Sequence, residues 1–142
     1  MNRTDFTVPD ASTLRSRGIV PTAQRLAIAR ILLSKPQHLS AEEVFLRVNH
    51  ESHIAHVSKA TVYNTLALFV DKGLIREVIA DPSRTFYCST IRPHPHFYNV
   101  DTHQLADADP ALCKVQLEQP LPEGTELESI DVIIRVRNSA RH

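Results

Sequence analysis

A short helix with a bare outer face constrains the fold of this chain more than any other feature. Residues 58–73 begin at a serine that can cap a helix and end at Gly73, a common helix stop. The apolar residues recur at helical spacing and share one face: Val62, Leu66 and Phe69. The opposite face carries small side chains: Ala60, Asn64 and Ala67. Such a surface is slim enough for a DNA major groove, where asparagine can pair with adenine.

The same face also fits a purely structural role, in which the two alanines let another helix pack closely and Asn64 is solvated. The neighbouring elements favour the DNA role. Helices are predicted upstream over 21–34 and 41–49, the second opened by a capping box of Ser40 and Glu43. Downstream, two strands flank a turn: 74–80, 85–88 and the turn 81–84. Three helices and a β-hairpin predict a winged helix-turn-helix, with the hairpin as its wing.

Size and charge agree with a soluble DNA-binding protein. The 142 residues, 42% of them hydrophobic, suffice for one domain or two small ones. No apolar run approaches the roughly 20 residues that span a bilayer, and we identify no signal peptide, so we expect a cytoplasmic protein without membrane contact. Residues 1–84 hold 11 Lys and Arg against 8 Asp and Glu, and residues 85–142 hold 5 against 8. This small positive excess suits phosphate contact, which dimerisation would double.

A proline-containing stretch divides the chain. Two prolines lie in the range 91–95, directly after the wing, so we place a linker at 89–93. The predicted fold class is α+β, with a winged-helix DNA-binding domain over 1–88 and a small α/β dimerisation and ligand-sensing domain over 94–142.

The second domain is expected to contain a hairpin, a short helix and a final strand. Asp109 and Pro110 are a typical opening pair for the helix. The final strand is predicted over 126–137, where apolar residues alternate: Ile130, Val132, Ile134 and Val136. We expect this strand to lie at a subunit boundary.

Two histidines after the wing can share a metal ion. His94 and His96 lie at i and i+2 in an extended segment, so their rings point to one side. Asp107 is expected on the neighbouring hairpin strand, and His38 in the loop before the capping box. Three imidazoles and one carboxylate suit a first-row divalent ion such as iron, manganese or zinc. A lone His-x-His is as often structural or solvated, and that alternative stays open.

Other reactive residues give weaker signals. His50, His53 and His56 are spaced by three in a polar loop, where we expect solvation. Cys88 and Cys113 form no C-x-x-C pair, so we predict neither a disulfide framework nor a thiolate zinc site. No pattern suggests nucleophilic catalysis, and we do not expect an enzyme.

Together these motifs resemble the ferric uptake regulator (Fur) superfamily of bacterial metal-responsive repressors. The resemblance covers residues 18–137 and rests on G-I-V-P-T-A-Q-R, H-L-S-A-E-E-V, K-A-T-V-Y-N-T-L and the H-x-H after the wing. T-V-Y-N-T-L, H-P-H-F-Y and the ending P-L-P-E-G-T-E-L-E-S-I-D-V-I-I-R-V-R look most like the iron response regulator (Irr) branch, which senses iron through haem. The resemblance implies a homodimer that binds AT-rich palindromic double-stranded DNA.

The resemblance also implies roles for individual residues. Ligands of the family's inter-domain regulatory metal site are matched by His38, His96 and Asp107, with His94 adjacent. Tyr63 matches a tyrosine that contacts thymine, and Arg25 matches an arginine near the DNA backbone. DNA contacts are accordingly expected from Arg25, Ser58, Lys59, Thr61, Tyr63 and Asn64.

Three departures from the family pattern change these expectations. Tyr87 stands where the family commonly has a carboxylate ligand, so we expect it beside the ligand or as a poor one. Asn99 and Thr102 stand where the first cysteine pair of a structural zinc site is usual, so no structural zinc held by four cysteines is expected. The Cys-Pro haem motif of some members is also missing, and haem would have to use His94, His96 or another histidine.

The leading hypothesis is a metal- or haem-responsive dimeric transcriptional regulator of iron homeostasis. The first alternative is a metal-independent winged-helix regulator whose histidines are vestigial. The second is an enzyme built on a histidine and carboxylate metal centre, for which the expected shallow site offers little walled cavity.

Overall fold

The computed structural model describes residues 8–51 and 53–140, so the expectations for residues 1–7 lie outside it. The chain divides into two compact units, Met1–Ile91 and Arg92–His142. The assignment of DNA binding to the first unit and of ligand sensing to the second stays a prediction. In the described residues no helix has both the length and the apolar character needed to cross a membrane.

The first unit has four helices and a three-stranded sheet. In chain order the elements are α1 (Ala11–Arg15), α2 (Ala23–Leu33), β1 (His38–Ser40), α3 (Ala41–Glu51), α4 (Lys59–Asp71), β2 (Arg76–Asp81) and β3 (Arg84–Cys88). The predicted helices correspond to α2, α3 and α4, and the predicted wing to the hairpin of β2 and β3. Helix α1 is opened by a capping box of Asp10 and Thr13 and buries Leu14 completely. Hydrogen bonds from Ser12 and from the Thr13 amide lower the pKa of Asp10.

Helix α4 has the two faces that its sequence predicts. Its buried face packs into the helical core through Val62, Leu66 and Phe69. Its exposed face contains Ala60, Asn64 and Ala67. The Thr61 amide donates to the Ser58 hydroxyl oxygen at 3.1 Å, which caps the first turn. Gly73 ends the helix with a φ of +74°, a conformation that costs glycine little.

The wing sheet has the strand order β1-β3-β2, and both pairings are antiparallel. Strand β1 corrects one expectation, because His38 lies in this strand and not in a loop. It pairs directly opposite Cys88. A strand of three residues is too short to show a period of two, and its partner β3 is distant in sequence, so the local pattern could not reveal it.

The second unit is built on a smaller sheet. Its elements are β4 (His96–Asn99), β5 (Leu105–Asp107), a single 3-10 turn (Pro110–Leu112) and β6 (Ile133–Val136). The strand order is β5-β4-β6, with β4 antiparallel to β5 and parallel to β6. The predicted hairpin is confirmed, and Asp109 caps the short turn by accepting a hydrogen bond from the Ala111 amide at 2.9 Å.

The final strand is shorter than predicted. The alternating pattern indicated 126–137, whereas β6 covers only Ile133–Val136. Pairing is limited by β4, which has four residues and therefore offers no partner to the preceding segment. Ile133 and Ile134 point to opposite faces and are both half-buried, so the alternation does not produce one buried face within this chain.

One half-buried side-chain amide joins α3 to the segment before α4. The side chain of Asn49 donates to the carbonyl oxygens of Phe45 and Val57, at 3.0 and 2.9 Å. It accepts from the Val57 amide at 2.7 Å. Because Val57 is completely buried, its backbone groups depend on Asn49 for hydrogen bonds that water would otherwise supply.

We expect Asn49→Ala to lower the free energy of unfolding by about 1–3 kcal/mol, the usual cost of leaving buried polar groups unsatisfied. Asn64→Ala is the matched control, since Asn64 is exposed in α4 and surface changes usually stay within about 0.5 kcal/mol. Urea unfolding followed by circular dichroism measures both. Equal stabilities of the two variants would contradict this role of Asn49.

Candidate metal centre and nucleic-acid interface

His94, His96 and Asp107 form a cluster in the second unit, here called the triad. His96 begins β4 and is paired in register with Asp107 of β5, while Pro95 separates it from His94. The two imidazole rings lie 4.3 Å apart between centroids, inclined by 47°. The three side chains converge as predicted. His94 and His96 are two residues apart in an extended segment, and Asp107 lies on the strand that pairs with it.

The hydrogen bonds of the triad fix which histidine atoms can bind a cation. The Nδ1 of His94 lies 2.6 Å from the carbonyl oxygen of Arg92, which can only accept, so Nδ1 carries the proton. In the neutral ring the Nε2 lone pair then faces the Oδ1 of Asp107 at 2.8 Å. Two acceptor atoms at this distance need a proton or a metal ion between them. Carbonyl partners of this type commonly orient metal-binding histidines.

His96 presents its Nε2 to the same carboxylate oxygen. The distance to the Oδ1 of Asp107 is 3.4 Å, and His96 is only 2% exposed. Two ligand atoms that each lie about 2.1 Å from one ion are about 3.0 Å apart when the angle at the ion is a right angle. They are about 3.4 Å apart when the angle is tetrahedral. Both separations found at Asp107 are close to these values, so the residues present fit a first-row divalent ion.

A second pair of donors lies in the wing sheet. His38 and Cys88 face each other across β1 and β3, and a ring nitrogen of His38 lies within 4.8 Å of the Cys88 sulfur. We call them the wing pair. Cys88 is buried and is not part of a disulfide, and sequence analysis missed it because a single cysteine has no spacing signal. Only the register of β1 against β3 identifies it as a donor of the metal-binding type.

Tyr87 is not suited to replace the missing carboxylate. Burial raises the pKa of Tyr87 above its usual value of 10.0, and the neighbouring Glu77 and Tyr63 raise it further. A phenol that stays neutral at pH 7 is a poor metal ligand. Tyr87 pairs across the sheet with Leu39 and joins the helical core, whereas Cys88 points to the other side of β3.

Hydrogen bonds to the Asn99 side chain close the β4–β5 turn. The side-chain oxygen of Asn99 accepts from the amides of Asp101 and Thr102, at 2.9 and 3.1 Å. Its amide nitrogen donates to the side chain of Asn138 at 2.9 Å. Asp101 in turn accepts from the Asn138 backbone at 2.8 Å. Hydrogen bonds therefore stabilise the turn in which the family resemblance places cysteines, and two cysteines in the whole chain cannot form a four-thiolate site.

The exposed face of α4 carries two of the predicted DNA contacts in a free orientation. Tyr63 is 52% exposed, and Asn64 is exposed one position later. Ser58 and Thr61 instead bond to each other at 2.9 Å within the helix cap. Lys59 lies 3.5 Å from Glu42, but both side chains are more than half exposed, so this ion pair is weak and Lys59 can turn to a phosphate.

Arg25 lies beside α4 at the start of α2. Its guanidinium donates to the Val20 carbonyl oxygen at 2.7 Å, which holds it close to the helix N-terminus. Arg25 and Asn64 line one groove of about 250 Å³, which also includes Thr22 and Gln24. Sequence analysis did not select Thr22 or Gln24 as site residues. Their places at the start of α2, next to Arg25, could have indicated them.

The three clustered histidines are exposed, as predicted: His50, His53 and His56. His50 corrects one part of the expectation, because it lies in the last turn of α3 and not in a loop. His56 contacts the edge of the Phe45 ring, with centroids 5.9 Å apart.

These features define the class of the protein: a winged helix that presents a reading helix, continued by a small sheet unit with metal-binding residue types. The sequence model of the Ferric uptake regulator family matches residues 16–135, and the chain belongs to that family. Proteins of this family are transcriptional regulators and not enzymes.

Individual relatives agree with this membership. The chain is similar to the peroxide-responsive repressor PerR of Staphylococcus aureus (strain Mu50 / ATCC 700699), with 35% identity over 88 residues, which is 61% of this chain and 56% of that protein. The match thus spans about half the length of this curated relative.

Solved structures extend the likeness to both units. The ferric uptake regulator of Pseudomonas aeruginosa with manganese aligns with a TM-score of 0.68 and 30% identity, over 89% of this chain and 96% of that one. The ferric uptake regulator of Vibrio cholerae has a TM-score of 0.68 at 21% identity, over 92% of this chain and 100% of that one, and supports the fold alone.

We expect Tyr87→Phe to remove one tyrosinate step at high pH. With a raised folded pKa, the neutral phenol stabilises the fold fully below pH 10.0, and this contribution is lost as pH rises through the folded value. The chain has no tryptophan and three tyrosines, so ultraviolet absorbance reports tyrosinate directly. Tyr63→Phe is the control. Ionisation of Tyr87 at or below its usual value would contradict the burial argument.

Proposed function

We propose that this chain is a metal-responsive, DNA-binding transcriptional repressor that works as a homodimer in the cytoplasm. The observation that carries the proposal is the convergence of His94 and His96 on one oxygen of Asp107, in a chain whose α4 presents Tyr63 and Asn64 to solvent. Membership of the Ferric uptake regulator family and the likeness to a manganese-containing relative support it.

The proposed ligands of the ion are the triad and His38, with Cys88 as an additional donor. Three imidazoles and a carboxylate suit iron, manganese or zinc, and a thiolate would move the preference from manganese towards zinc. The triad and the wing pair belong to different units. An ion that took ligands from both would restrict the linker at 89–93, and with it the spacing of the two reading helices in a dimer. This provides a route from metal binding to DNA binding.

We propose a divalent ion in preference to haem. Haem iron takes one or two axial ligands from protein and needs a broad apolar slot, whereas the triad offers three donors around one point. The resemblance to the Irr branch implies haem as the ligand and control of iron homeostasis as the role. Loading the protein with each divalent ion and with haemin in turn tests the choice of ligand.

The second unit offers a surface for a second copy. Strand β6 is an edge of its sheet, and among the described strands it pairs only with β4. The half-buried Ile133 and Ile134 lie on it. An open apolar edge favours pairing with another chain, and a dimer would match the two halves of an AT-rich palindrome, which is the DNA we propose.

We expect Asn64→Ala to weaken base discrimination at one position by about 1–3 kcal/mol, because a bidentate contact to adenine is lost. Overall phosphate-driven affinity should change little. Fluorescence anisotropy with a palindromic duplex and single-base variants measures both quantities. Ala67→Ser is a matched control on the same face. Unchanged base preference in Asn64→Ala would mean that α4 does not read DNA in this way.

We expect His94→Ala/His96→Ala to lose the bound ion and the metal dependence of DNA binding together. Even partners outside the ligand shell contribute about 10–100-fold to metal affinity, so removing two ligands should cost more than about 100-fold. Equilibrium dialysis with Mn²⁺, Fe²⁺, Zn²⁺ and haemin, followed by anisotropy, measures both properties. His50→Ala, which changes an exposed histidine of α3, is the control.

The same experiment separates the competing functions. Full ion stoichiometry and unchanged metal-dependent DNA binding in the double variant would identify the triad as a structural feature. DNA binding without any response to the four ligands would favour the metal-independent winged-helix regulator. Cys88→Ser tells whether the wing pair contributes, since loss of a thiolate should weaken zinc more than manganese.

A further inference from the structure

An apolar groove lies in the first unit, along one face of α2. It has a volume of about 550 Å³, within the range of about 300–1,000 Å³ that is usual for small-molecule sites. Its apolar lining comes from Leu26, Ala27 and Ile31 of α2 and from Ile54 after α3. None of these residues belongs to the triad, to the wing pair or to the exposed face of α4.

Two arginines line the groove, and one of them is oriented by a hydrogen bond. The Arg47 guanidinium donates to the side-chain oxygen of Gln37 at 3.2 Å. Gln37 is anchored in turn, because its amide nitrogen donates to the carbonyl oxygens of Ile31 and Leu32, at 2.6 and 3.1 Å. Arg30, which is exposed, also lines the groove. A guanidinium that is already oriented loses less freedom on binding and can bind a carboxylate through two N–H groups.

We propose that this groove binds a small amphipathic carboxylate. The apolar part of the ligand lies along Leu26, Ala27 and Ile31, and its carboxylate pairs with Arg47 and Arg30. An apolar chain alone would make no use of the two guanidinium groups, and an anion alone would not fill the groove. The proposal goes beyond metal-dependent DNA binding, because it concerns a second ligand at a separate place in the fold.

One acidic residue of the rim opposes the binding of a carboxylate. Glu51 and His53 also line the groove. Glu51 lies one turn after Arg47 in α3, so its charge repels a carboxylate bound at Arg47. Removal of the Glu51 charge is therefore expected to strengthen binding, an outcome that unspecific hydrophobic association would not produce.

The test measures the binding of sodium octanoate to the 142-residue chain by isothermal titration calorimetry. We expect one saturable site per chain, and binding of octanol and of acetate that is weaker by about tenfold or more, since each lacks one half of the ligand. Arg47→Gln should weaken octanoate by about tenfold or more, and Glu51→Gln should strengthen it. Arg135→Gln, in the second unit, is the control and should change nothing.

Two further variants exclude a folding effect. Arg47→Lys keeps the charge but loses the planar fork, so octanoate binding should fall less than in Arg47→Gln. Ala23→Leu places a larger side chain on the groove wall at an exposed helical position, and should weaken octanoate without lowering the unfolding free energy. Non-saturating binding, equal affinity for octanoate and octanol, or full octanoate affinity in Arg47→Gln would overturn the proposal.

Discussion

The first unit depends on the pairing of β3 with a strand on each side. Because side chains alternate along a strand, this pairing turns Tyr87 towards the helical core and places Cys88 opposite His38. A shift of one residue in register would exchange the two faces. The phenol would then leave the core, and the thiol would leave the neighbourhood of the imidazole. The burial of one aromatic ring thus maintains the position of a donor on the opposite side of the sheet.

The sequence allowed the helices and the triad to be predicted because both follow from local rules. Capping residues and apolar periodicity located α2, α3 and α4, and i, i+2 spacing beside a hairpin brought His94, His96 and Asp107 together. Elements that depend on distant pairing were not accessible in this way. Strand β1 exists because β3 pairs with it, β6 is as short as β4 allows, and Cys88 becomes a candidate donor only through that register.

Hydrogen bonds within α4 reduce the number of side chains available for the proposed DNA contacts. Ser58 and Thr61 lie in a stretch that resembles a recognition helix, yet their hydroxyl groups are used to start that helix. Between Thr61 and Asp71 the exposed polar side chains of α4 are Tyr63 and Asn64, and these remain for the proposed contacts with bases. Arg25 is held beside them by the Val20 carbonyl. The helix cap therefore leaves fewer of the proposed residues free to determine base preference.

The turn closed by Asn99 has a consequence for how this protein can be controlled. Its bonds run between amides, a carboxylate and backbone groups, and chelators or oxidants that remove zinc from thiolates leave such groups unchanged. The scaffold of the second unit is thus chemically separate from the proposed regulatory ion. An ion at the triad could therefore bind and dissociate without breaking the hydrogen bonds of this turn.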